Sequence, residues 1–240
     1  MPKPTPRLIF VRHGQTEWSK SGQYTSVTDL ELTPFGVKQM RNTGKHLIGN
    51  TPFQMIKPKN LKLIITSPRT RAKQTADLLL ESLLTDEKDS ITVTEDNDLR
   101  EWEYGDYEGL TTPQILDLRK ERGLDQDGIR WTIFQKGCEN GEDHLQVTER
   151  IDRLIARIRD VHAKAIEENA ACDILIVAHG HILRCFAARW VGRPLNVNPD
   201  MVLDAGGVGV LSYQHCNIKE PAFYLSGAFT VPVEEEGEEQ

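Results

Sequence analysis

Two histidines, two arginines and one glutamate stand directly after short β-branched runs of the sequence. They are Arg12, His13, Arg69, Glu101 and His179. If these runs are parallel strands, their carboxyl ends meet at one edge of a sheet, where ligands bind in open α/β folds. A neutral imidazole is a nucleophile towards phosphorus, and the planar fork of arginine matches the oxygens of a phosphate. The pattern therefore predicts a site for phosphoryl transfer.

The residue types of this set supply different parts of that chemistry. Arg12 and Arg69 would bind phosphate oxygens, and His179 would add a third donor. A leaving alkoxide needs a proton, and Glu101 is the carboxyl group placed to give it. Phosphoryl transfer needs little beyond positioning and charge neutralisation. We expect no metal ion and no cofactor, because Mg²⁺ prefers several oxygen ligands and this set contains one carboxylate.

The elements that must position these residues alternate between short apolar runs and longer segments with helical periodicity. This alternation is typical of parallel strands joined by crossover helices. Helices are expected between Thr33 and Gly49, between Thr112 and Gly123, and over residues 143–169. Strands are expected at residues 8–12, 61–67, 91–95, 173–179, 207–213 and 223–229. We predict an α/β fold, a three-layer α/β/α sandwich with a mainly parallel sheet.

The organisation of the chain indicates one domain with an acidic end. Residues 105–142 are rich in Gly, Asp and Trp and interrupt the alternation, so we expect an excursion that covers the site as a lid. We assign residues 1–233 to a single domain. Residues 234–240, EEEGEEQ, are expected to form a disordered acidic tail.

Charge and hydropathy exclude several classes of protein. The formal net charge is −7, and five glutamates of the tail account for most of it, so a basic stripe for nucleic acid is missing. The longest run of apolar residues, 174–178, has five members, whereas a membrane span needs roughly 20. We expect neither nucleic acid nor a membrane as a partner, and a location in the cytoplasm, with the nucleus as a further alternative. The sequence leaves the oligomeric state open, and the four cysteines, without Cys-x-x-Cys spacing, are expected to be buried free thiols.

Four blocks of the sequence follow one another in a recognisable order. They are residues 8–18 with Arg-His-Gly, residues 32–39, residues 67–76 and Ala178-His179-Gly180. Together they resemble the histidine phosphatase superfamily, which has the phosphoglycerate-mutase-like fold. The resemblance implies hydrolysis of a phosphoric monoester through a phosphohistidine at His13. It also implies phosphate binding by Arg12 and Arg69, completion of that pocket by His179, and proton donation by Glu101.

Three further segments narrow this resemblance. Residues 18–25, 99–109 and 204–213 are similar to the fungal sedoheptulose-1,7-bisphosphatase group. This similarity implies a phosphorylated sugar as the small-molecule partner, with hydrolysis of sedoheptulose 1,7-bisphosphate to sedoheptulose 7-phosphate as the expected reaction. Phosphoglycerate mutases carry Glu-Ser after Arg-His-Gly, where this chain has Gln15 and Thr16. Another phosphosugar phosphatase, a phosphoglycerate mutase and an inactive phospholigand-binding protein remain alternatives.

Substrate contacts are expected from residues near the reacting group. Binding residues often lie on loops, and a second anion could bind near the helix N-terminus that follows His179. The candidates are Gln23, Tyr24, Thr25, Glu101, Trp102, Glu103, Tyr104, His181, Arg184 and His215. Packing is the alternative for Trp102.

Three residues near the predicted catalytic set have competing interpretations. Glu103 and Glu108 are rivals of Glu101 for the role of proton donor. Arg71, two residues past Arg69, is expected on a helix face that points away from the phosphate.

Overall fold

One mixed sheet of six strands forms the centre of the chain in a computed structural model that describes residues 4–225. The strands are β1 (Arg7–Arg12), β2 (Leu61–Thr66), β3 (Thr92–Glu95), β4 (Asp173–Ala178), β5 (Val208–Tyr213) and β6 (Pro221–Phe223). Their order across the sheet is β3-β2-β4-β1-β5-β6. β1, β2, β3 and β4 are parallel, whereas β5 runs antiparallel to β1.

The register of the parallel strands brings their last residues together. Arg12 at the end of β1 is opposite Ala178 at the end of β4, and Thr66 of β2 is opposite Val177. We call this side of the sheet the carboxyl edge, and the side where Arg7 begins β1 the amino edge. The carboxyl edge is where the sequence predicts the functional residues to converge.

Helices cover both faces of this sheet. They are α1 (Glu17–Ser21), α2 (Pro34–Leu47), α3 (Thr70–Leu80), α4 (Thr85–Asp89), α5 (Thr112–Glu121), α6 (Ile133–Lys136), α7 (His144–Glu167) and α8 (Gly180–Trp190). Side chains alternate along β1, so Leu8 packs in the core with α7 and α8, whereas Ile9 packs in the core with α2 and α3. The predicted three-layer α/β/α sandwich is confirmed.

The bounds of the long helices and strands agree closely with the sequence prediction, because residues that cap helices mark where the helices begin. Thr33 caps α2 by accepting a hydrogen bond from the Gly36 amide at 3.0 Å, and Asp143 caps α7. Strands β1 to β5 begin and end within one residue of their predicted bounds. The prediction for the last strand is wrong at both ends: a tight turn between Gln214 and Glu220 lets β6 begin at Pro221, and β6 ends at Phe223, so that residue alone is shared with the predicted strand over the described residues. Residues 226–229 of that predicted strand lie outside the described residues.

The segment 105–142 contains α5 and α6 and packs beside the carboxyl edge. Arg119 ties it together, since its buried guanidinium lies 2.7 Å from Asp125 and 2.8 Å from Glu139. The same guanidinium lies 5.6 Å from the ring centre of Trp131. Movement of this segment as a lid stays a prediction.

Three further sequence predictions concern cysteines, domain bounds and membranes. All four cysteines are free and three of them are buried, whereas Cys216, in the turn after β5, is partly exposed. The division of the chain at residue 233 stays a prediction, because 226–240 are not among the described residues. Within residues 4–225, no helix has both the length and the apolar character needed to cross a membrane.

Candidate active site

The imidazole of His13 is held in one orientation immediately after β1. Its backbone amide donates to the carbonyl of Ala178 at 2.9 Å, which continues the pairing of β1 with β4. Its Nδ1 lies 2.8 Å from the carbonyl oxygen of Gly14, so Nδ1 carries the proton and Nε2 keeps its lone pair. Burial, together with the charges of Arg71 and Arg12, lowers the pKa of His13 well below its usual value. The ring is therefore neutral at physiological pH, as a nucleophile must be.

Gly14 lets the chain turn tightly against α2 after this histidine. A Cβ atom at this position would lie 2.6 Å from Cγ of Met40 and 2.9 Å from the carbonyl oxygen of Gly36. These distances are shorter than van der Waals contact, so a larger residue would push β1 and α2 apart. The glycine therefore contributes to the position of the His13 ring.

Two arginine side chains at the carboxyl edge have buried N–H groups without partners. Arg12 donates from Nη1 to the carbonyl of Leu203 at 2.7 Å, but its Nε has no hydrogen-bond partner, and neither has Nε of Arg69. Leaving a charged donor unsatisfied in a buried position is costly. Burial also lowers the pKa of Arg12. An anion in the cavity that Arg12 lines would give its Nε a partner, whereas Arg69 is not among the residues that line this cavity.

His179 is oriented by partners on both of its ring nitrogens. Nδ1 accepts a hydrogen bond from Nε of Arg71 at 3.2 Å, so the proton of the neutral ring is on Nε2, which lies 2.6 Å from Oγ of Ser67. Its ring centre lies 5.2 Å from that of His13. Burial, together with the charges of Arg71, Arg69 and Arg12, lowers the pKa of His179 well below its usual value.

The prediction that Arg71 points away from the phosphate pocket is wrong. Arg71 is fully buried, and its terminal nitrogens donate to the carbonyls of Thr25, Ser26 and Thr28. Because α3 begins at Thr70, Arg71 lies in its first turn, directly above the carboxyl edge. The side chain therefore turns towards His179, and it is the most important functional candidate that the sequence interpretation missed.

The carboxylate of Glu101 lies at the N-terminus of α8. It accepts three backbone hydrogen bonds, from Trp102 at 2.9 Å, from His181 at 3.0 Å and from Ile182 at 2.8 Å. His181 and Ile182 belong to the first turn of the helix, whose amides have no intrahelical partners. The carboxylate is thus fixed at the wall of the same cavity that His13 lines.

The rival carboxylates are engaged elsewhere. Glu108 accepts hydrogen bonds from Ser26 and Thr28 and so holds the loop that also binds Arg71. Glu103 pairs with Arg100 at 3.2 Å and does not line the cavity. The geometry therefore favours Glu101 as the proton donor.

A cavity of about 300 Å³ opens at the carboxyl edge beside His13. Six of the predicted substrate contacts besides Glu101 line it, as do unpredicted residues of α1 and of the loop before β5. The predicted ones are Gln23, Tyr24, Thr25, Tyr104, His181 and Arg184, and the unpredicted ones include Thr16, Trp18, Ser19, Met201, Val202, Leu203 and Asp204. Of these, only Met201 to Leu203 lack any motif signal, since the place of their loop depends on the pairing of β5 with β1.

Three predicted substrate contacts do not line this cavity, and the predictions for them are wrong. Trp102 is fully buried, and its indole Nε1 donates to the carbonyl of Glu142 at 2.9 Å, so it packs in the core. Glu103 faces Arg100, as described above. His215 lies at the amino edge because β5 is antiparallel to β1, and its exposed ring contacts Glu220 at 2.6 Å.

Aromatic rings form part of the wall of the cavity that Arg184 also lines. The ring centres of Tyr24 and Tyr104 are 4.7 Å apart, and the Tyr104 hydroxyl lies 2.7 Å from Nδ1 of His181. Burial and neighbouring Glu101 raise the pKa of Tyr104 well above its usual value, so it stays a neutral hydroxyl. Arg184 donates from Nε to the carbonyl of Gly180 at 3.1 Å and has no acidic partner in the described part of the chain. Its guanidinium is therefore available to an anion.

Residues that could hold a metal ion do not gather at this cavity. Over residues 4–225, no group of three or more His, Cys, Asp or Glu side chains has the geometry of a metal site. The donors at the cavity are instead guanidinium and imidazole groups, which suit an anion.

Comparisons with known proteins identify the family. The model of the histidine phosphatase superfamily (branch 1) matches residues 8–222. A sedoheptulose 1,7-bisphosphatase of Saccharomyces cerevisiae is 49% identical over 270 aligned positions, which cover 99% of this chain and 98% of the relative. An acid phosphatase of Mycobacterium tuberculosis is 34% identical over 87% of both chains. The solved structure of an open reading frame of the same bacterium has 31% identity and a TM-score of 0.66, covering 90% of this chain and 94% of its own.

The chain belongs to the histidine phosphatase superfamily, which confirms the resemblance carried by its four sequence blocks. Together with its relatives, this family assigns the chain to the enzymes that hydrolyse phosphoric monoesters.

Proposed function

We propose that the chain removes one phosphate from a sugar bisphosphate, with sedoheptulose 1,7-bisphosphate as the substrate and sedoheptulose 7-phosphate as the product. One observation carries this proposal: two guanidinium groups line the cavity, Arg12 next to His13 in the sequence and Arg184, which has no acidic partner in the described part of the chain. The similarity to the Saccharomyces cerevisiae enzyme supports the choice of sugar.

The first half of the reaction forms a phosphohistidine. Nε2 of His13 attacks the phosphorus atom, the bond from phosphorus to the sugar oxygen breaks, and Glu101 gives its proton to the leaving alkoxide. Arg12 and Arg69 neutralise the charge on the phosphoryl oxygens during the transfer. Nε2 of His179, which carries the proton and lies 2.6 Å from Oγ of Ser67, would add a third donor by exchanging that contact for a phosphoryl oxygen.

The second half of the reaction restores the enzyme. Glu101, now a carboxylate, takes a proton from water while the water oxygen attacks the phosphorus atom. The bond between phosphorus and His13 breaks, inorganic phosphate leaves, and the proton stays on Glu101 for the next cycle. The backbone hydrogen bonds to the Glu101 carboxylate keep it at the same place in both halves.

The remote phosphate of the substrate would bind Arg184. A phosphate dianion loses its water shell in a cavity unless cations or N–H groups replace that shell. Arg184 supplies a guanidinium fork without a competing carboxylate in the described part of the chain, and the polyol would lie between it and His13, against Gln23, Tyr24 and Tyr104. Because of this contact, the cavity would bind a bisphosphate more tightly than a monophosphate.

The test compares two substrates in two arginine variants. We expect Arg184→Ala to raise KM for sedoheptulose 1,7-bisphosphate about ten- to a hundredfold, which is the value of a charge-assisted contact, and to leave hydrolysis of a small aryl phosphate nearly unchanged. Arg193→Ala is the matched control, because Arg193 is an exposed arginine that does not line the cavity. Equal losses on both substrates would contradict the role of Arg184.

A panel of phosphorylated compounds tests the choice of substrate. Sedoheptulose 1,7-bisphosphate should have a higher kcat/KM than its monophosphates and than 2,3-bisphosphoglycerate. Preferential phosphoryl transfer between phosphoglycerates would instead favour a mutase, and binding without turnover would favour a phospholigand-binding protein.

A further inference from the structure

The guanidinium of Arg184 is held by two contacts. On one side Nε donates to the Gly180 carbonyl of its own helix at 3.1 Å. On the other side the guanidinium carbon lies 5.6 Å from the ring centre of Phe134, within the distance of a cation–π contact. Gly180 is part of α8, whereas Phe134 belongs to α6 in the segment 105–142.

Phe134 is itself fixed in place. It is buried, with 4% of its surface exposed, and its ring packs edge-on against Trp102 at 5.9 Å. The ends of α6 are secured as well, because Thr132 caps its start and the indole of Trp131 donates to the carbonyl of Gly137 at 3.0 Å. A rigid ring face therefore stands behind the flexible side chain of Arg184.

Arg184 needs such support because another cation lines the same cavity. Arg12 and Arg184 both face it, and each guanidinium repels the other while the cavity holds no anion. An arginine without an acidic partner would gain freedom and distance by swinging out to solvent. The ring of Phe134 favours the conformation in which the guanidinium stays at the cavity wall.

We propose that Phe134 is a positioning residue that determines substrate specificity by holding Arg184 in the conformation that receives the remote phosphate. The inference rests on the proposed function, and it gives the segment 105–142 a defined part in substrate selection. Phe134 does not line the cavity and contacts no reacting atom. Its ring contacts two residues that do line it, Arg184 and, at 5.8 Å between ring centres, His181, and only Arg184 carries a charge for the remote phosphate.

The experiment is a double-mutant cycle with two substrates. In Phe134→Leu, which keeps an apolar side chain but loses the ring, KM for sedoheptulose 1,7-bisphosphate should rise about three- to thirtyfold, the range of a partly desolvated cation–π contact. The kcat for that substrate and both constants for an aryl phosphate should stay within about twofold. In Phe134→Tyr, which keeps the ring face, KM should stay near the original value.

The cycle shows whether Phe134 acts through Arg184. If it does, Phe134→Leu has no further effect on KM for the bisphosphate once Arg184→Ala is present. The inference would be overturned, with the proposed function intact, if Phe134→Leu raised KM for the bisphosphate by the same factor with and without Arg184→Ala. It would also be overturned if Phe134→Leu raised KM equally for both substrates. If Arg184→Ala alone is not selective, or the original enzyme does not hydrolyse the bisphosphate, the proposed function fails and the inference fails with it.

Discussion

The two edges of the sheet each hold a partly buried arginine and a buried histidine, and they differ in what these side chains contact. At the amino edge, Arg7 donates from Nε and Nη2 to the carboxylate of Asp173 at 2.8 and 2.6 Å. At the carboxyl edge, Nε of Arg12 is buried without a partner. The arginine of the amino edge is engaged by the fold, whereas that of the carboxyl edge is left with a donor for a ligand.

The histidines at the two edges differ in whether they line a cavity. Nδ1 of His162 lies 2.9 Å from the hydroxyl of Tyr213 in the core at the amino edge, and burial lowers its pKa to about 4. His13 also has a lowered pKa, but it lines an open cavity beside two arginines. Burial and a shifted pKa are therefore common to a packing histidine and a candidate nucleophile. Unpartnered buried nitrogens are no discriminator either, because Nε2 of His162 and Nε of Arg159 also have no hydrogen-bond partner. What distinguishes His13 is that it lines one cavity together with Arg12 and Glu101.

Among conservative substitutions at the carboxyl edge, Glu101→Gln should have the largest effect on activity. The amide cannot give or take the proton, so both half-reactions should slow, and kcat should fall about 10²- to 10⁴-fold. Glu103→Gln is the matched control, two residues away and facing Arg100, and should retain most of its activity. Loss of activity in Glu103→Gln with full activity in Glu101→Gln would transfer the role of proton donor to Glu103.

A smaller effect is expected from changing one buried arginine at each edge to lysine. Arg71→Lys keeps the charge but loses the fork that joins His179 to the carbonyls of the 25–28 loop, so kcat/KM should fall about ten- to a hundredfold. Arg7→Lys should lower the melting temperature and leave kcat/KM within about twofold. Similar activities in the two variants would show that Arg71 serves the fold alone.

The smallest effect on activity is expected at His162, which should change stability instead. In the folded chain its pKa is about 4, whereas in the unfolded chain it is about 6.5, so between these values only the unfolded state binds the proton. Above pH 6.5 the His162 ring is neutral in both states, and the stability of the folded chain that depends on this neutral ring is fully present. This stability is lost as the pH falls towards 4, because protonation favours the unfolded state. A fall from pH 7 to pH 5 should lower the free energy of unfolding by about 2 kcal/mol through His162 alone.

The variant His162→Gln isolates this contribution from those of the other buried histidines. Its free energy of unfolding, measured by urea denaturation, should depend less on pH than that of the original chain by the stated amount. Its activity at pH 7 should be unchanged. An identical pH dependence in both proteins would show that His162 has the same pKa in the folded and unfolded states.

The carboxyl edge could be predicted from the sequence largely because parallel strands show a local signal. Each short apolar run ends in a polar group, and the fold rule then places Arg12, His13 and His179 together. Arg71 could not be predicted in the same way: α3 has begun at Thr70, and which face of its first turn points at His179 depends on how the helix packs on the sheet. The prediction that His215 contacts the substrate was wrong for a related reason. A sequence pattern typical of a strand does not show that β5 is antiparallel to β1.

The most direct test of the account asks whether His13 carries the phosphoryl group during turnover. The enzyme is mixed with a radiolabelled sugar phosphate and quenched within one turnover in acid or in alkali. Because the bond between phosphorus and nitrogen is acid-labile, the account predicts protein-bound label after the alkaline quench, no label after the acid quench, and neither label nor turnover in His13→Ala. A His13→Ala enzyme that kept a tenth of its rate, a loss of only about 1.4 kcal/mol in the barrier, would contradict the covalent mechanism.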